Sequence, residues 1–266
     1  MTGTTVSDAN RVKMIAVLSG GLDSTTMVYD YKGSGFDVDC ISFDYGQRHS
    51  KEVICARETA RKLQLRHDIV NIKSITQFLQ ESGSSLITPG HAIPEGHYAE
   101  DNMRSTVVPN RNMIMLSIAG GIAVARNAAF IATAVHAGDH AIYPDCRPEF
   151  FSPFNYALWR ANEGFGAFEQ PNHTETAGPV RTPYINLSKA DIALSALALG
   201  VPLADTWSCY KGGEYHCGKC GTCVERLEAI DEAQRRWNDA DNMQTPAPED
   251  KTVYEDTEYW KEVLAK

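Results

Sequence analysis

The sequence predicts an α/β protein with a doubly wound parallel sheet and a small C-terminal module that contains four cysteines. Three observations support this prediction. Apolar runs of strand length alternate with helical patterns along the 266 residues, which is the order of a parallel sheet covered by helices on both faces. The first apolar run leads through a glycine-rich loop at 19–24 into a helical pattern. Four cysteines crowd between Cys209 and Cys223.

The elements follow one another as a strand, a helix and the next strand. Strands are predicted at 12–18, 38–43, 66–72 and 129–134. Helices are predicted at 24–32, 51–63, 111–126, 149–160 and 189–199. Unusual polar loops follow the first, second and fourth strands, and in such sheets ligands bind beyond the carboxyl ends of the strands. We therefore expect the functional site at that edge.

Two longer insertions and a tail complete the predicted organisation. Residues 81–108 form a long loop with Gly, Pro and His, which is typical of an active-site loop or lid. Residues 161–179 form a second, polar insertion. The predicted units are a nucleotide-binding domain at 1–208, a zinc-binding module with a helix at 209–236 and an acidic tail at 237–266, in which 254–264 can form a short helix.

Composition and charge narrow the function classes. The net charge is −9 with 43% hydrophobic residues, so a basic nucleic-acid surface is not evident. No apolar run reaches the roughly 18 residues of a membrane helix, and 1–11 lacks an apolar signal core. We therefore expect a cytoplasmic protein without a nucleic-acid or membrane partner.

The loop at 19–24, with the sequence SGGLDS, predicts an anion site. Gly20 and Gly21 let backbone N–H groups turn inward. Ser19, Ser24 and Thr25 add hydroxyl donors, and the N-terminus of the following helix favours negative charge. The loop lacks the Gly-Lys-Ser/Thr ending of a Walker P-loop. The alternative, an ordinary glycine-rich turn, is disfavoured by the complete motif.

The cysteine cluster predicts a structural zinc site formed by Cys209, Cys217, Cys220 and Cys223. Four thiolates match a closed tetrahedral site with no position left for water. An iron–sulfur cluster and free thiols are the less favoured alternatives. His216 is expected to be an exposed residue of the knuckle rather than a ligand.

Several motifs in a fixed order resemble a known family. The loop alone resembles the PP-loop of the ATP pyrophosphatase superfamily (adenine nucleotide alpha hydrolase-like proteins), which cleaves ATP between the α and β phosphates. The ordered set resembles the 7-cyano-7-deazaguanine (preQ0) synthase family of queuosine biosynthesis. The motifs are SGGLDS at 19–24, FDYGQRH at 43–49, VPNRN at 108–112, GDH at 138–140, YPDCRPEF at 143–150, SKAD at 188–191 and the four cysteines.

This resemblance implies a reaction and its partners. A carbon–nitrogen ligase of this family activates 7-carboxy-7-deazaguanine with ATP, and ammonia displaces AMP to give an amide. A second ATP activates the amide oxygen, and elimination gives the nitrile 7-cyano-7-deazaguanine. The resemblance further implies Mg²⁺ on the phosphates, structural Zn²⁺ and a homodimer.

The resemblance also assigns expected roles to residues. Asp23, Ser24, Lys189 and His140 are the catalytic candidates, with a solvated helix face as the alternative for Lys189 and simple packing as the alternative for His140. The expected nucleotide contacts are Leu18, Ser19, Gly20, Gly21, Leu22, Asp23, Ser24, Thr25, Thr26, Met27, Val28, Asp44, Tyr45, Gln47 and Arg48. A surface position is the alternative for Arg48.

The expected substrate contacts lie in the later motifs. They are Asn110, Arg111, Asp139, Tyr143, Asp145 and Arg147. Asp145 is expected to accept the N1–H and amino group of the guanine-like edge, and Arg147 to pair with the substrate carboxylate. A helix N-cap is the alternative for Asn110, and a surface salt bridge is the alternative for Arg147.

Other functions share parts of this pattern. A tRNA-thiolating PP-loop enzyme would also adenylate its substrate, but it needs a basic RNA surface. A related enzyme could pass the activated acyl group to an amine other than ammonia. A catalytically inactive deazapurine sensor could dispense with Asp23 and Ser24, and both are present.

Overall fold

The computed structural model describes residues 11–47, 51–166, 178–240 and 245–265. Five parallel strands form one sheet in the order β3-β2-β1-β4-β5. They are β1 (Lys13–Val17), β2 (Asp37–Asp44), β3 (Arg66–Asn71), β4 (Phe130–Ala132) and β5 (Val180–Arg181). The chain first builds the sheet outward from β1 to β3 and then crosses to β4 on the other side. The direction reverses between β1 and β4, which is the usual ligand position in such sheets.

The helices connect these strands and cover the sheet. They are α1 (Leu22–Gly33), α2 (Lys51–Lys62), α3 (Lys73–Leu79), α4 (Glu100–Met103), α5 (Arg111–Ala125), α6 (Pro148–Ala161), α7 (Lys189–Ala198), α8 (Gly221–Asp239) and α9 (Tyr259–Leu264). No helix in the described parts of the chain is long and apolar enough to cross a bilayer.

The side chains of β1 alternate between two apolar cores. Met14 and Ala16 pack on one face with Met27 of α1 and Ala56 of α2. Ile15 packs on the other face with residues of α5 and α6. This alternation with a period of two, with helices against both faces, gives the predicted doubly wound architecture.

The predicted elements are confirmed with small shifts, whereas β5, α3 and the four-residue α4 were not predicted. The helix after the loop begins at Leu22, two residues before the expected start, because Gly21 occupies the N-cap position. The strand β5 has only two residues and no periodicity that a sequence could show. The short helix α3 contains the β-branched Ile75 and Thr76, which weaken a helical pattern. The insertion expected at 161–179 lies largely outside the described residues.

The long loop at 81–108 packs against the cysteine module. Leu86 and Ile87 are buried, Glu95 forms a β-bridge with Cys220, and the Gly96 N–H donates to the Lys219 carbonyl at 2.9 Å. The loop therefore joins the sheet domain to the C-terminal region, and it carries Tyr98 to the site described next.

Candidate active site

The loop between β1 and α1 is shaped by Gly20. Its φ is +94°, and a Cβ there would lie 2.0 Å from the Glu52 carbonyl oxygen of α2. No side chain fits, so the loop backbone can lie directly on α2. Ser24 Oγ accepts the Ser19 N–H at 3.1 Å and lies 2.8 Å from Ser19 Oγ. Gly21 at the N-cap has no side chain that could cap the helix, which leaves the N-terminus of α1 suited to an anion.

A cavity of about 230 Å³ opens beside this loop, where the strand order reverses. Its floor consists of residues at and just beyond the carboxyl ends of β1, β2 and β4: Val17, Leu18, Ser42, Phe43, Thr133, Ala134 and Val135. The site therefore lies where the fold predicts it.

One half of the cavity holds a buried group of charges. Lys189 Nζ lies 2.6 Å from Asp23 Oδ2 and 3.6 Å from Glu225 Oε2. Burial lowers the pKa of Lys189, but Asp23 and Glu225 outweigh that effect and the net shift of its pKa is upward. Burial raises the pKa of Glu225, against the opposing effect of Lys189. Lys189 is therefore a cation held between two acidic groups. We call this half the charged half.

His136 belongs to the same group of charges. Its Nδ1 accepts the Gly138 N–H at 3.1 Å, so a neutral imidazole carries its proton on Nε2. That Nε2 lies 3.6 Å from Asp139 Oδ2 and 3.5 Å from Lys189 Nζ. His136 is only 2% exposed, so this contact helps to fix the position of Asp139 on the cavity wall.

The other half of the cavity is aromatic. Tyr45, Tyr98, Tyr143 and Tyr210 line it together with Arg111. The Tyr98 hydroxyl donates to Asp139 Oδ1 at 3.0 Å, which connects the two halves. Burial raises the pKa of Tyr45 to about 12, so its hydroxyl stays protonated. We call this half the tyrosine half; its flat walls fit a planar ring.

The cavity brings together many of the residues predicted from the sequence. They are Leu18, Ser19, Gly21, Leu22, Asp23, Ser24, Tyr45, Gln47, Arg111, Asp139, Tyr143 and Lys189. Gly20 supports the loop from behind. Arg48 lies outside the described residues.

Other nucleotide candidates lie away from the cavity walls. Met27 and Val28 are fully buried in the apolar core, and Thr26 Oγ1 donates to the Leu22 carbonyl within α1. Thr25 is also buried, at 1% exposure. Asp44 forms an ion pair with Lys73 at 2.8 Å. Only the first residues of α1 face the cavity, because the later turns of the helix extend away from it. The linear motif does not show where along the helix this change occurs.

Three of the substrate candidates and the catalytic candidate His140 also lie away from the cavity. Asp145 Oδ2 accepts the Asn112 N–H at 2.9 Å and so caps α5. Asn110 stands at the N-cap position of α5, with φ +55° and no side-chain cap bond. Arg147 Nε donates to the His140 carbonyl at 2.5 Å, and His140 Nε2 is buried without a partner among the described residues. The residues that line the cavity do not include Asp145, Asn110, Arg147 or His140.

Several cavity residues were not predicted. His136, Glu225, Tyr98, Trp207 and Tyr210 line it, and each comes from a segment distant in sequence from the loop. Trp207, Tyr210 and Glu225 stand within two residues of a cysteine of the cluster. That neighbourhood could have indicated these three, whereas Tyr98 lies in the long loop at 81–108 and His136 follows the fourth predicted strand.

The four cysteines form a site suited to a metal. The sulfur atoms of Cys209, Cys217, Cys220 and Cys223 lie within 4.8 Å of one another, and all four residues are buried. Tetrahedral zinc would place its sulfurs about 3.8 Å apart. Backbone N–H groups of Lys219 and Cys220 donate to Cys217 Sγ at 3.4 and 3.3 Å, as in the outer shell of a metal–thiolate site. The residues present therefore fit the predicted ion.

His216 differs from the expectation of an exposed knuckle residue. It is 3% exposed, its Nε2 accepts the Ser208 N–H at 3.1 Å, and its ring packs on Trp207 at 4.3 Å. The aromatic contact and the hydrogen bond replace the solvent that the sequence suggested.

Comparisons with known proteins agree with this geometry. The family model of queuosine biosynthesis protein QueC matches residues 13–234. The chain is 45% identical over 255 residues to 7-cyano-7-deazaguanine synthase of Chelativorans sp., covering 96% of this chain and 99% of that protein. It is 47% identical over 222 residues to the synthase of Methanoregula boonei, covering 84% and 95%. NMN synthetase from Francisella tularensis has a TM-score of 0.45 at 14% identity, covering 90% of this chain and 89% of that chain.

Proposed function

The chain belongs to the queuosine biosynthesis protein QueC family, and from this premise we propose that it is a ligase that makes 7-cyano-7-deazaguanine at the cavity between β1 and β4. The proposed substrates are 7-carboxy-7-deazaguanine, ammonia and two molecules of ATP. The observation that carries the proposal is the division of one cavity into a charged half at the glycine loop and a tyrosine half.

The charged half suits the triphosphate. Amides at the N-terminus of α1 and the hydroxyls of Ser19 and Ser24 offer donors to the pyrophosphate part. Lys189 supplies a cation next to the loop, at 2.6 Å from Asp23. An anionic phosphate would compete with Asp23 and Glu225 for that ammonium group. Lys189 can therefore contact the phosphate and stabilise the negative charge that develops at the α phosphorus.

The tyrosine half suits the flat deazapurine. In the first step the carboxylate oxygen attacks the α phosphorus, pyrophosphate leaves, and an acyl-adenylate forms. Ammonia then displaces AMP and loses a proton, which gives the amide. In the second step the amide oxygen attacks the α phosphorus of a second ATP and pyrophosphate leaves. The nitrogen then loses both of its protons as the C–O bond to AMP breaks, which gives the nitrile. One loop that binds pyrophosphate therefore serves both steps.

Two metal ions complete the proposal. Mg²⁺ would neutralise phosphate charge, and Asp23 fits it because its Oδ1 is buried without a hydrogen-bond partner among the described residues. Zn²⁺ would be held by the four cysteines. Because all four positions are thiolates, that ion has no open position for chemistry.

Product analysis tests the proposal. The purified protein is incubated with 7-carboxy-7-deazaguanine, ATP, Mg²⁺ and ammonium, and mass spectrometry follows the acid, amide and nitrile. We expect the nitrile to accumulate after a transient amide, and neither to form without ATP. Transfer of the acyl group to an amine of the protein in preference to ammonia, or the absence of both amide and nitrile, would contradict the proposal. The homodimer and the cytoplasmic location expected from the sequence stay predictions.

A further inference from the structure

Arg111 is the cationic side chain of the tyrosine half. It lies at the first position of α5 and lines the cavity. Its guanidinium carbon is 5.5 Å from the centre of the Tyr143 ring, and it also interacts with the Tyr45 hydroxyl. Its surroundings are therefore aromatic rings and phenol groups.

Arg111 forms no ion pair with any carboxylate whose position the structure describes. Burial lowers the pKa of Arg111, but the nearby tyrosines and Asp145 outweigh that effect and the net shift is upward. Asp145 Oδ2 nevertheless accepts the backbone N–H of Asn112 rather than pairing with the guanidinium. The neighbouring tyrosines do not supply a negative charge, because burial raises the pKa values of Tyr45, Tyr143 and Tyr210. A buried cation without an ion-pair partner is costly, and an anionic ligand at this position would supply one.

We propose that Arg111 receives the carboxylate of a flat aromatic acid whose ring lies between the tyrosines. This inference rests on the proposed function and adds to it the residue that recognises the acid. The planar guanidinium can donate two parallel hydrogen bonds to a carboxylate. Arg147, the arginine that the sequence favoured for this role, lies off the cavity and donates to the His140 carbonyl.

The two steps of the reaction make different demands on Arg111. The acid carries a full negative charge, whereas the amide intermediate is neutral. Charge-assisted hydrogen bonds are about twice as strong as neutral ones, so Arg111 favours the acid over the amide. Loss of Arg111 therefore harms recognition of the acid more than recognition of the amide.

Binding measurements without ATP test this inference, because no adenylate can form. Calorimetry compares the dissociation constants of 7-carboxy-7-deazaguanine and of its amide for the unsubstituted protein and for Arg111→Met. We expect the dissociation constant of the acid to rise about 10- to 100-fold and that of the amide about 2- to 10-fold. Arg111→Lys keeps the positive charge but loses the planar group that donates two parallel hydrogen bonds. The rise in the dissociation constant should therefore be intermediate and again larger for the acid than for the amide.

Two further variants serve as comparisons. Arg160→Met removes an exposed arginine of α6 that lies over Trp159, and both dissociation constants should stay unchanged. Arg147→Met tests the competing arginine. ATP binding and thermal melting verify that each variant is folded, and Arg111→Lys carries the test if Arg111→Met does not fold.

The possible failures differ from one another. If the unsubstituted protein binds neither compound, the proposed function fails and this inference fails with it. If it binds both and the Arg111 variants weaken acid and amide equally, or weaken neither, the inference alone is overturned. A selective loss of the acid in Arg147→Met, without one in the Arg111 variants, would also overturn it.

Discussion

At the scale of single residues, Asp23 joins the phosphate loop to the charged half of the cavity. One carboxylate oxygen contacts Lys189 at 2.6 Å, and the other is buried without a hydrogen-bond partner among the described residues. Ser24, the next residue, holds the loop through Ser19. We therefore expect the two residues to act on the same phosphates through different contacts.

Substitution of these two residues tests their role. Asp23→Asn removes the charge that holds Lys189, and Ser24→Ala removes both contacts to Ser19. Each change should lower kcat for nitrile formation at least about 100-fold, the scale seen when one preorganised donor is lost. Asp30→Asn is the matched control, because Asp30 is exposed on the outer part of α1 and should leave kcat unchanged. Near-normal turnover in Asp23→Asn would remove Asp23 from the site.

Sequence patterns predicted the residues of the loop better than those of the later motifs. In the loop the motif, the strand before it and the helix after it all indicate the same position. Asp145 and Arg147 are as polar as Asp139 and Arg111, and no local pattern says which pair points into the cavity. Packing between distant segments decides that, and it also brings His136 and Glu225 to Lys189.

At the scale of elements, the contact between the loop and α2 depends on a glycine. A Cβ at position 20 would lie 2.0 Å from the Glu52 carbonyl oxygen and 2.8 Å from the Ala56 nitrogen, and both are backbone atoms that cannot move aside easily. The left-handed φ of Gly20 adds strain for any other residue. The loop and α2 therefore form one rigid support.

Gly20→Ala should separate the loop from α2. We expect a lower melting temperature and loss of ATP binding, measured by calorimetry. Gly33→Ala is the matched control on α1, because a Cβ there meets no atom within 4 Å and alanine favours a helix. Its melting temperature should stay the same or rise. Normal ATP binding by Gly20→Ala would show that the loop tolerates displacement.

The cysteine module gives a second prediction at this scale. Elemental analysis should find one zinc per chain, and Cys220→Ser should give zinc-poor or insoluble protein, because metal binding at such a site is folding free energy. Cys55→Ser, which changes a cysteine outside the cluster, should keep its zinc. A folded, active protein free of zinc and iron would contradict the assignment.

At the scale of the whole molecule, the C-terminal segment at 245–265 packs against the cysteine module and α8. Arg226 of α8 is fully buried. It donates to the Tyr254 hydroxyl at 3.0 Å and to Thr252 Oγ1 at 3.0 Å, and both of these hydroxyls contact Asp250. A Cβ on Gly218 would lie 1.8 Å from the Asp256 carbonyl oxygen. The segment therefore forms part of the packed structure.

Tyr254→Phe should weaken this packing. It leaves one donor of a buried cation without its acceptor, which costs about 1–3 kcal/mol, and chemical denaturation measures the loss. Tyr215→Phe is the matched control, because Tyr215 is 45% exposed.

Backbone N–H groups of Tyr259 and Glu258 hold the pKa of Asp256 below its usual range. That contact therefore stabilises the fold near neutral pH and is lost as the pH falls through the lowered pKa.

Composition alone did not predict this packing. The sequence predicted an acidic tail with a short helix at 254–264 that can dock back, but no pattern indicated that Asp250 contacts the two hydroxyls to which Arg226 donates. The division into units at 1–208, 209–236 and 237–266 stays a prediction. The sheet, by contrast, followed from alternation along the chain, because parallel strands and their helices are encoded locally.

The proposed function requires that the substrate is adenylated twice in the same cavity. Oxygen labelling tests this requirement most directly. The substrate acid carries ¹⁸O in both carboxylate oxygens, and mass spectrometry follows AMP, pyrophosphate and the nitrile. We predict two AMP for each nitrile, with one ¹⁸O in each AMP and none in pyrophosphate, because each oxygen leaves on an α phosphorus. A label in inorganic phosphate or in water, or one AMP for each nitrile, would contradict the account.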